Sequence, residues 1–211
     1  MRNRDEVLEE LCDTQRPSTA LPGWCTVDKA KRIAQLVDDA RARLCVELGV
    51  FGGRSLIAMA LGGNGRQCEV HGIDPFAKGP SLEGTNAPEN EKWWSEVDYE
   101  DVLRQCRDAI AKLGIEHRVR LMRARSLDVV DLYEPGIVDV LHQDSNHSEE
   151  VSCAEVKAWA PKVALGGFWI FDDVNWPSTQ RAQRELEQLG FHRIENYDYW
   201  AIFQAVGGRL K

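Results

Sequence analysis

Four side chains close behind two apolar stretches have the types and spacing for acid–base or metal chemistry. Asp144 and His147 follow the stretch 138–143, and Asp172 and Asp173 follow the stretch 167–171. If the two stretches are neighbouring parallel strands, their ends lie side by side and three carboxylates converge. Like charges held that close repel unless a cation or a proton intervenes. Hard oxygen ligands suit Mg²⁺ or Ca²⁺, so Asp144, Asp172 and Asp173 are candidate ligands for a divalent cation. His147, three residues after Asp144, could reach over the same spot as a general base. The ordinary imidazole pKa of about 6.5 suits that task at neutral pH. Asp144 and His147 together are the candidate catalytic pair. The alternative is a set of solvated loop acids with a surface histidine. Glu149 and Glu150 read instead as first-turn helix residues favoured by the dipole.

A second constellation lies earlier in the chain. Glu47 precedes Gly49, Gly52 and Gly53, and Ser55 follows them. Glycines between a strand and a helix let the backbone turn sharply and approach a ligand closely. A plain tight turn is the alternative. Asp74 closes the next apolar stretch, where a carboxylate can accept the hydroxyls of a ribose or simply start a turn with Pro75. The dinucleotide fingerprint G-x-G-x-x-G is not met, because the glycines run Gly49-x-x-Gly52-Gly53. A carboxylate at Glu47 would repel a pyrophosphate and attract an amine or a sulfonium if it faces the pocket.

These residues need a frame. Strands are expected at 43–48, 69–73, 118–122, 138–143 and 167–171, and helices at 4–12, 27–41, 54–61, 99–113, 149–160 and 177–189. Thr26 is a suitable N-cap for the second helix, and Pro177 suits a first helical turn. Segments 191–195 and 199–205 read as a closing hairpin. Strand–helix alternation predicts an α/β fold: a Rossmann-like, doubly wound, mostly parallel sheet of seven strands, helices on both faces, and one antiparallel strand near the C-terminus. One domain is expected over 1–211, with a helical appendage at 1–41 and a lid-like insertion at 75–98. Residues 75–97 carry Pro, Gly and Asn and read as irregular; long loops of that kind are often lids. Trp93, Trp94 and Trp176 are candidate walls over a flat substrate, or simply packing residues.

Composition narrows the partners. The 211 residues are 43% hydrophobic and 28% charged, with a net charge of −8. That balance argues against a general nucleic-acid surface, and the basic run 118–125 reads as a solvated strand and loop. No stretch approaches a membrane span, and the first six residues carry no apolar run of the signal-peptide kind. The six cysteines are scattered without a CxxC pair, which suggests reduced thiols and a cytoplasmic address. The N-terminal helices could form a homo-oligomer surface.

The segments 46–55, 71–75, 139–147 and 166–173 resemble the class I S-adenosylmethionine-dependent methyltransferases, and among them the family labelled Methyltransf_24. That family is similar to metal-dependent sugar O-methyltransferases, to the rhamnosyl O-methyltransferase and cephalosporin hydroxylase group, and more distantly to catechol O-methyltransferase. The resemblance covers about residues 24–204. It implies S-adenosylmethionine as methyl donor and a small hydroxylated acceptor such as a sugar or a catechol. Glu47, Gly49 and Ser55 would line the methionine part, in the turn that also holds Gly52 and Gly53. Asp74 would hold the ribose and Ser126 would lie near the adenine. Asp144, Asp172 and Asp173 would hold the metal, with His147 as base. The chain departs from the common pattern in its glycine spacing, in having Asp throughout the metal set, and in Ser145 after Asp144. An NAD(P)-dependent oxidoreductase and a non-catalytic donor-binding protein are the competing readings.

Overall fold

Alternation along the strands decides which helices cover which face of the sheet. The computed structural model describes residues 3–16, 18–85 and 87–207. The strands are β1 (Leu44–Leu48), β2 (Glu69–Ile73), β3 (Val119–Met122), β4 (Val138–Gln143), β5 (Val163–Asp172), β6 (Phe191–Asn196) and β7 (Trp200–Ala205). Cys45, Val140, Ile170 and Ile202 point to one face, and Val46, Leu141, Trp169 and Phe203 point to the other. This is the period of two that a strand imposes. The first face is covered by α1 (Arg4–Cys12), α2 (Val27–Asp39), α3 (Arg54–Gly62) and α6 (Tyr99–Leu113). The second is covered by α8 (Glu149–Trp159) and α9 (Gln180–Gln188). Both faces are thus buried, which explains why β1 and the end of β5 read as nearly unbroken apolar runs.

The strand order is β3-β2-β1-β4-β5-β7-β6. All neighbouring pairs from β3 to β5 are parallel, and β7 runs antiparallel to both β5 and β6. The expected seven-stranded sheet with one reversed strand is therefore what forms. β1 lies between β2 and β4, so the connections leave it in opposite directions. That reversal opens a crevice at the carboxyl ends of β1 and β4, the usual ligand position in such sheets.

Local signals account for the helix starts. Thr26 Oγ1 accepts the Lys29 N–H at 3.3 Å, and Ser148 Oγ accepts from Val151. Residues 75–97 depart from the irregular reading. They form two short helices, α4 (Lys78–Ser81) and α5 (Pro88–Glu96). Pro88 at the first helical position and Glu89 and Glu91 in the first turn are good starting signals for α5. A further short helix, α7 (Ser126–Val129), follows β3. Pro177–Thr179 is a separate 3₁₀ turn before α9 rather than its first turn.

Two features of β1 tie the frame to the crevice. Gly49, with φ +85°, ends the strand; a Cβ there would lie 2.0 Å from the Asp144 carbonyl oxygen. Glu47 pairs in register with His142 on β4, and His142 Nδ1 lies 2.7 Å from Glu47 Oε1 with both side chains fully buried. Burial and Lys29 pull the His142 pKa down from 6.5, but Asp172 and Glu47 outweigh them and lift it to about 9. No helix among the described residues is long and apolar enough to cross a membrane.

Two predictions follow from this geometry. Gly49→Ala forces either a strained backbone or a shift of the β4 end, and urea unfolding should register a loss of about 2 kcal/mol or more. The folded state holds a His142 proton that the unfolded chain releases. That stabilisation is complete below about 6.5 and is lost as pH rises through about 9. Unfolding free energies across that window should fall less steeply in His142→Gln than in the wild type.

Candidate functional site

The crevice is built on the β1–α3 turn. Gly53, at φ +86°, leads into α3, and a Cβ on it would meet Cys106 Sγ at 2.5 Å. Gly52 is pressed against the Pro22 carbonyl, which a Cβ would approach to 1.9 Å. Between them and Gly49, Phe51 adopts φ +47°, a left-handed conformation uncommon for a bulky residue and typical of constrained sites. Asp74 fixes the turn. Its Oδ2 accepts the Val50 and Phe51 N–H groups, each at 2.9 Å, and its Oδ1 accepts the Phe76 N–H at 2.6 Å. Burial raises the Asp74 pKa against the pull of these amides. Asp74 thus holds the turn in shape as well as lining the cavity.

Two connected spaces meet at Gly49, Phe51, Trp94, Asp144 and His147. The larger, about 680 Å³, lies within the usual range for small-molecule sites. Its walls include Gly52, Gly53 and Ser55 of the turn, and Asp172 and Asp173 after β5. The smaller, about 100 Å³, is lined by Asp74, Ser126, Ser145 and Glu155. Ser126 Oγ and Ser145 Oγ both donate to Glu155, which Gln143 Nε2 also reaches at 2.9 Å. Burial raises the Glu155 pKa against those donors. Glu155 is a buried member of the site that helix periodicity alone hides, because it sits on an inner face where an apolar residue is usual.

Aromatic rings close the larger space. Trp93 and Trp94 of α5 meet at 4.7 Å between ring centroids, Trp24 approaches Trp93 at 4.8 Å, and Phe51 approaches Trp94 at 5.7 Å. Trp176 stands 5.1 Å from the His147 ring. Trp93, Trp94 and Trp176 are thus brought to one cavity, and Trp24 and Phe51 join them.

The acid cluster differs from three bare carboxylates in search of a cation. Lys29, from α2, is 2% exposed, and its ammonium contacts Asp172 Oδ2. Burial opposes the Asp172 charge, but the ammonium holds its carboxyl well below the usual range. His147 Nε2 lies 2.8 Å from Asp173 Oδ2 and 3.5 Å from Asp144 Oδ1. Burial lowers the His147 pKa, but the two carboxylates prevail and raise it to about 10. The ordinary value near 6.5 expected for a free base therefore does not apply to this ion-paired state. Burial and the Asp172 charge push Asp144 up to about 7.

Two of the expected placements change. Asp144, Asp172 and Asp173 do not form one open triad: the ligand-capable atoms of Asp144, His147 and Asp173 lie within 4.8 Å of one another, and Asp172 groups instead with His142 and Asp144. Glu47 does not line the cavity. It is fully buried beneath the turn, with Oε1 on His142 and Oε2 without a hydrogen-bond partner among the described residues. The repulsion expected between Glu47 and a pyrophosphate in the pocket therefore acts from below the turn.

Comparison with known proteins fits this arrangement. A family model described as a methyltransferase domain matches residues 46–174. The flavonoid 3',5'-methyltransferase of Vitis vinifera is 24% identical over 172 residues, covering 79% of this chain and 62% of that protein. The chain thus spans less than two thirds of that curated relative's length. The O-methyltransferase NovP superposes with a TM-score of 0.75 at 18% identity, over 97% of this chain and 98% of that one. The O-methyltransferase TomG from Streptomyces achromogenes, solved in complex with SAM, gives 0.65 at 16% identity over 98% and 92%. These structural likenesses establish the shared fold. The matched segment runs from β1 through β5, carries both the glycine turn and the acid cluster, and makes up more than half of the chain; the protein belongs to the methyltransferase-domain family.

Proposed function

We propose that this protein transfers a methyl group from S-adenosylmethionine to a hydroxyl oxygen of a small acceptor. The observation that carries the reading is a single cleft with two chemically distinct halves. One half is the glycine turn with Asp74, and the other is Asp144, His147 and Asp173. In the first half, Asp74 and the backbone of the turn would bind the ribose and the methionine portion. Ser126 and Glu155, in the smaller space, would face the adenine. When bound, the donor supplies a sulfonium-activated methyl group.

In the second half, the acceptor hydroxyl must lose its proton as its oxygen bonds to the methyl carbon. Asp144, and His147 once a cation on Asp144 and Asp173 replaces its ion pair and so lowers its pKa, would be the groups placed to receive that proton, and the aromatic walls would exclude water and orient a flat acceptor. The donor set of Asp144, His147 and Asp173 has the oxygen-rich chemistry that a Mg²⁺-like cation accepts. A divalent cation there would stabilise developing charge on the acceptor oxygen. Asp144 and Asp173 would hold it, and Asp172, already in contact with Lys29, would support them from behind.

Calorimetry should show that S-adenosylmethionine and S-adenosylhomocysteine bind while NAD(H) and NADP(H) do not; binding of the nicotinamides alone would overturn the donor assignment. With a hydroxylated aromatic or sugar panel, methylated product should form. Asp144→Asn and His147→Ala should each lower turnover by about 10²-fold or more while donor affinity stays within about threefold. Full turnover after either change would remove these residues from the chemistry.

A further inference from the structure

Lys29 lies outside the segment that matches the family model, yet its ammonium reaches the heart of the acid cluster. It comes from the first turn of α2 and contacts Asp172 Oδ2. The ammonium is also within electrostatic reach of Asp144, more weakly than of Asp172, and lies 5.9 and 5.7 Å from the centroids of the Tyr199 and Trp200 rings. Asp172 is fully engaged in turn. Its Oδ1 accepts the Asp173 N–H at 3.2 Å, and His142 Nε2 lies 3.6 Å from its Oδ2. A carboxylate already in contact with one buried cation has little charge to offer a second cation. A divalent ion placed against Asp172 would also sit beside the ammonium and be repelled by it. Asp144 and Asp173 line the same cavity, and His147 Nε2 lies within 3.5 Å of a carboxylate oxygen of each, whereas the ammonium contacts Asp172.

We propose that Lys29 is a positioning residue that takes Asp172 out of the cation's ligand set and confines a divalent metal to Asp144 and Asp173. The inference rests on the divalent-cation reading of the site. The three acids expected from the sequence to share one cation thereby become two ligands and one acid held by an internal ammonium. The position of the cation along the cleft, and so which acceptor oxygen it meets, is then set from α2.

Mn²⁺ titration of the full-length protein, followed by the loss of the free-ion electron paramagnetic resonance signal, tests this directly. Four proteins are compared: wild type, Lys29→Met, Asp172→Asn and the double variant Lys29→Met/Asp172→Asn. Lys29→Met should bind Mn²⁺ at least about tenfold more tightly, because it frees a third carboxylate and removes a neighbouring positive charge. The double variant replaces the buried pair by neutral groups and so keeps a folded reference should Lys29→Met unfold. Its affinity should lie within about threefold of wild type. A loss of about tenfold or more in the double variant would make Asp172 a ligand and overturn the proposal, whereas Asp172→Asn alone strands the ammonium beside the site and should bind more weakly than the double variant. Unchanged or weaker binding in a folded Lys29→Met would also overturn the proposal. Absence of Mn²⁺ binding in both wild type and Lys29→Met would instead remove the divalent-cation reading, and this inference with it.

Discussion

Charge compensation at the carboxyl ends of the strands governs the rest of the molecule. A parallel sheet aligns its strand ends, and here that alignment brings Glu47, Asp144, Asp172 and Asp173 to one region. Such a group of acids folds only with cations among them. The protein supplies them from three directions: Lys29 from α2, His142 from within β4, and His147 from the loop after it. Removing one partner of a fully buried pair of this kind costs about 3–5 kcal/mol, because the other charge is left stranded. Helix α2 is therefore part of the site, and its docking is coupled to the state of Asp172.

The glycine turn obeys a steric constraint that meets the electrostatic one at the same place. β1 and β4 end so close together that the Asp144 carbonyl occupies the space where a Gly49 side chain would begin. The turn is held by Asp74 through the Val50 and Phe51 amides, while the Phe76 amide fixes the carboxylate itself, which keeps Phe51 in its left-handed conformation. Phe51 in turn meets Trp24, Trp93 and Trp94. The segment before α2, the β1–α3 turn and α5 are thus packed together over the cleft, and the two halves of the site share these walls.

Much of the architecture is legible in the order of apolar and polar residues. An unbroken apolar run at 167–171, with polar groups at its end, requires a strand covered on both faces. The absence of a helix between 195 and 199 requires a reversed strand at the end. The helix over 88–96 is less legible. Its two tryptophans and the Gly and Asn before it give no amphipathic period, and its packing on Trp24 and Phe51 is long-range. Glu155 is hidden for a related reason: its partners Ser126, Gln143 and Ser145 lie on other elements.

Taken by itself, the sequence determined which residues reach the mouth of the sheet. Gly49, Asp74, Asp144, His147, Asp172 and Asp173 each follow a strand directly or within a few residues, and topology carries strand ends to one place. Tertiary structure alone decided what those residues do to one another. Lys29 is separated from Asp172 by 143 positions, and nothing in helix periodicity distinguishes it from a solvated lysine. Likewise, Glu47 and His142 look like unrelated polar residues until register places them opposite each other. Ionisation and ligand availability depend on distances of a few ångströms between distant segments, and only the folded chain sets those distances.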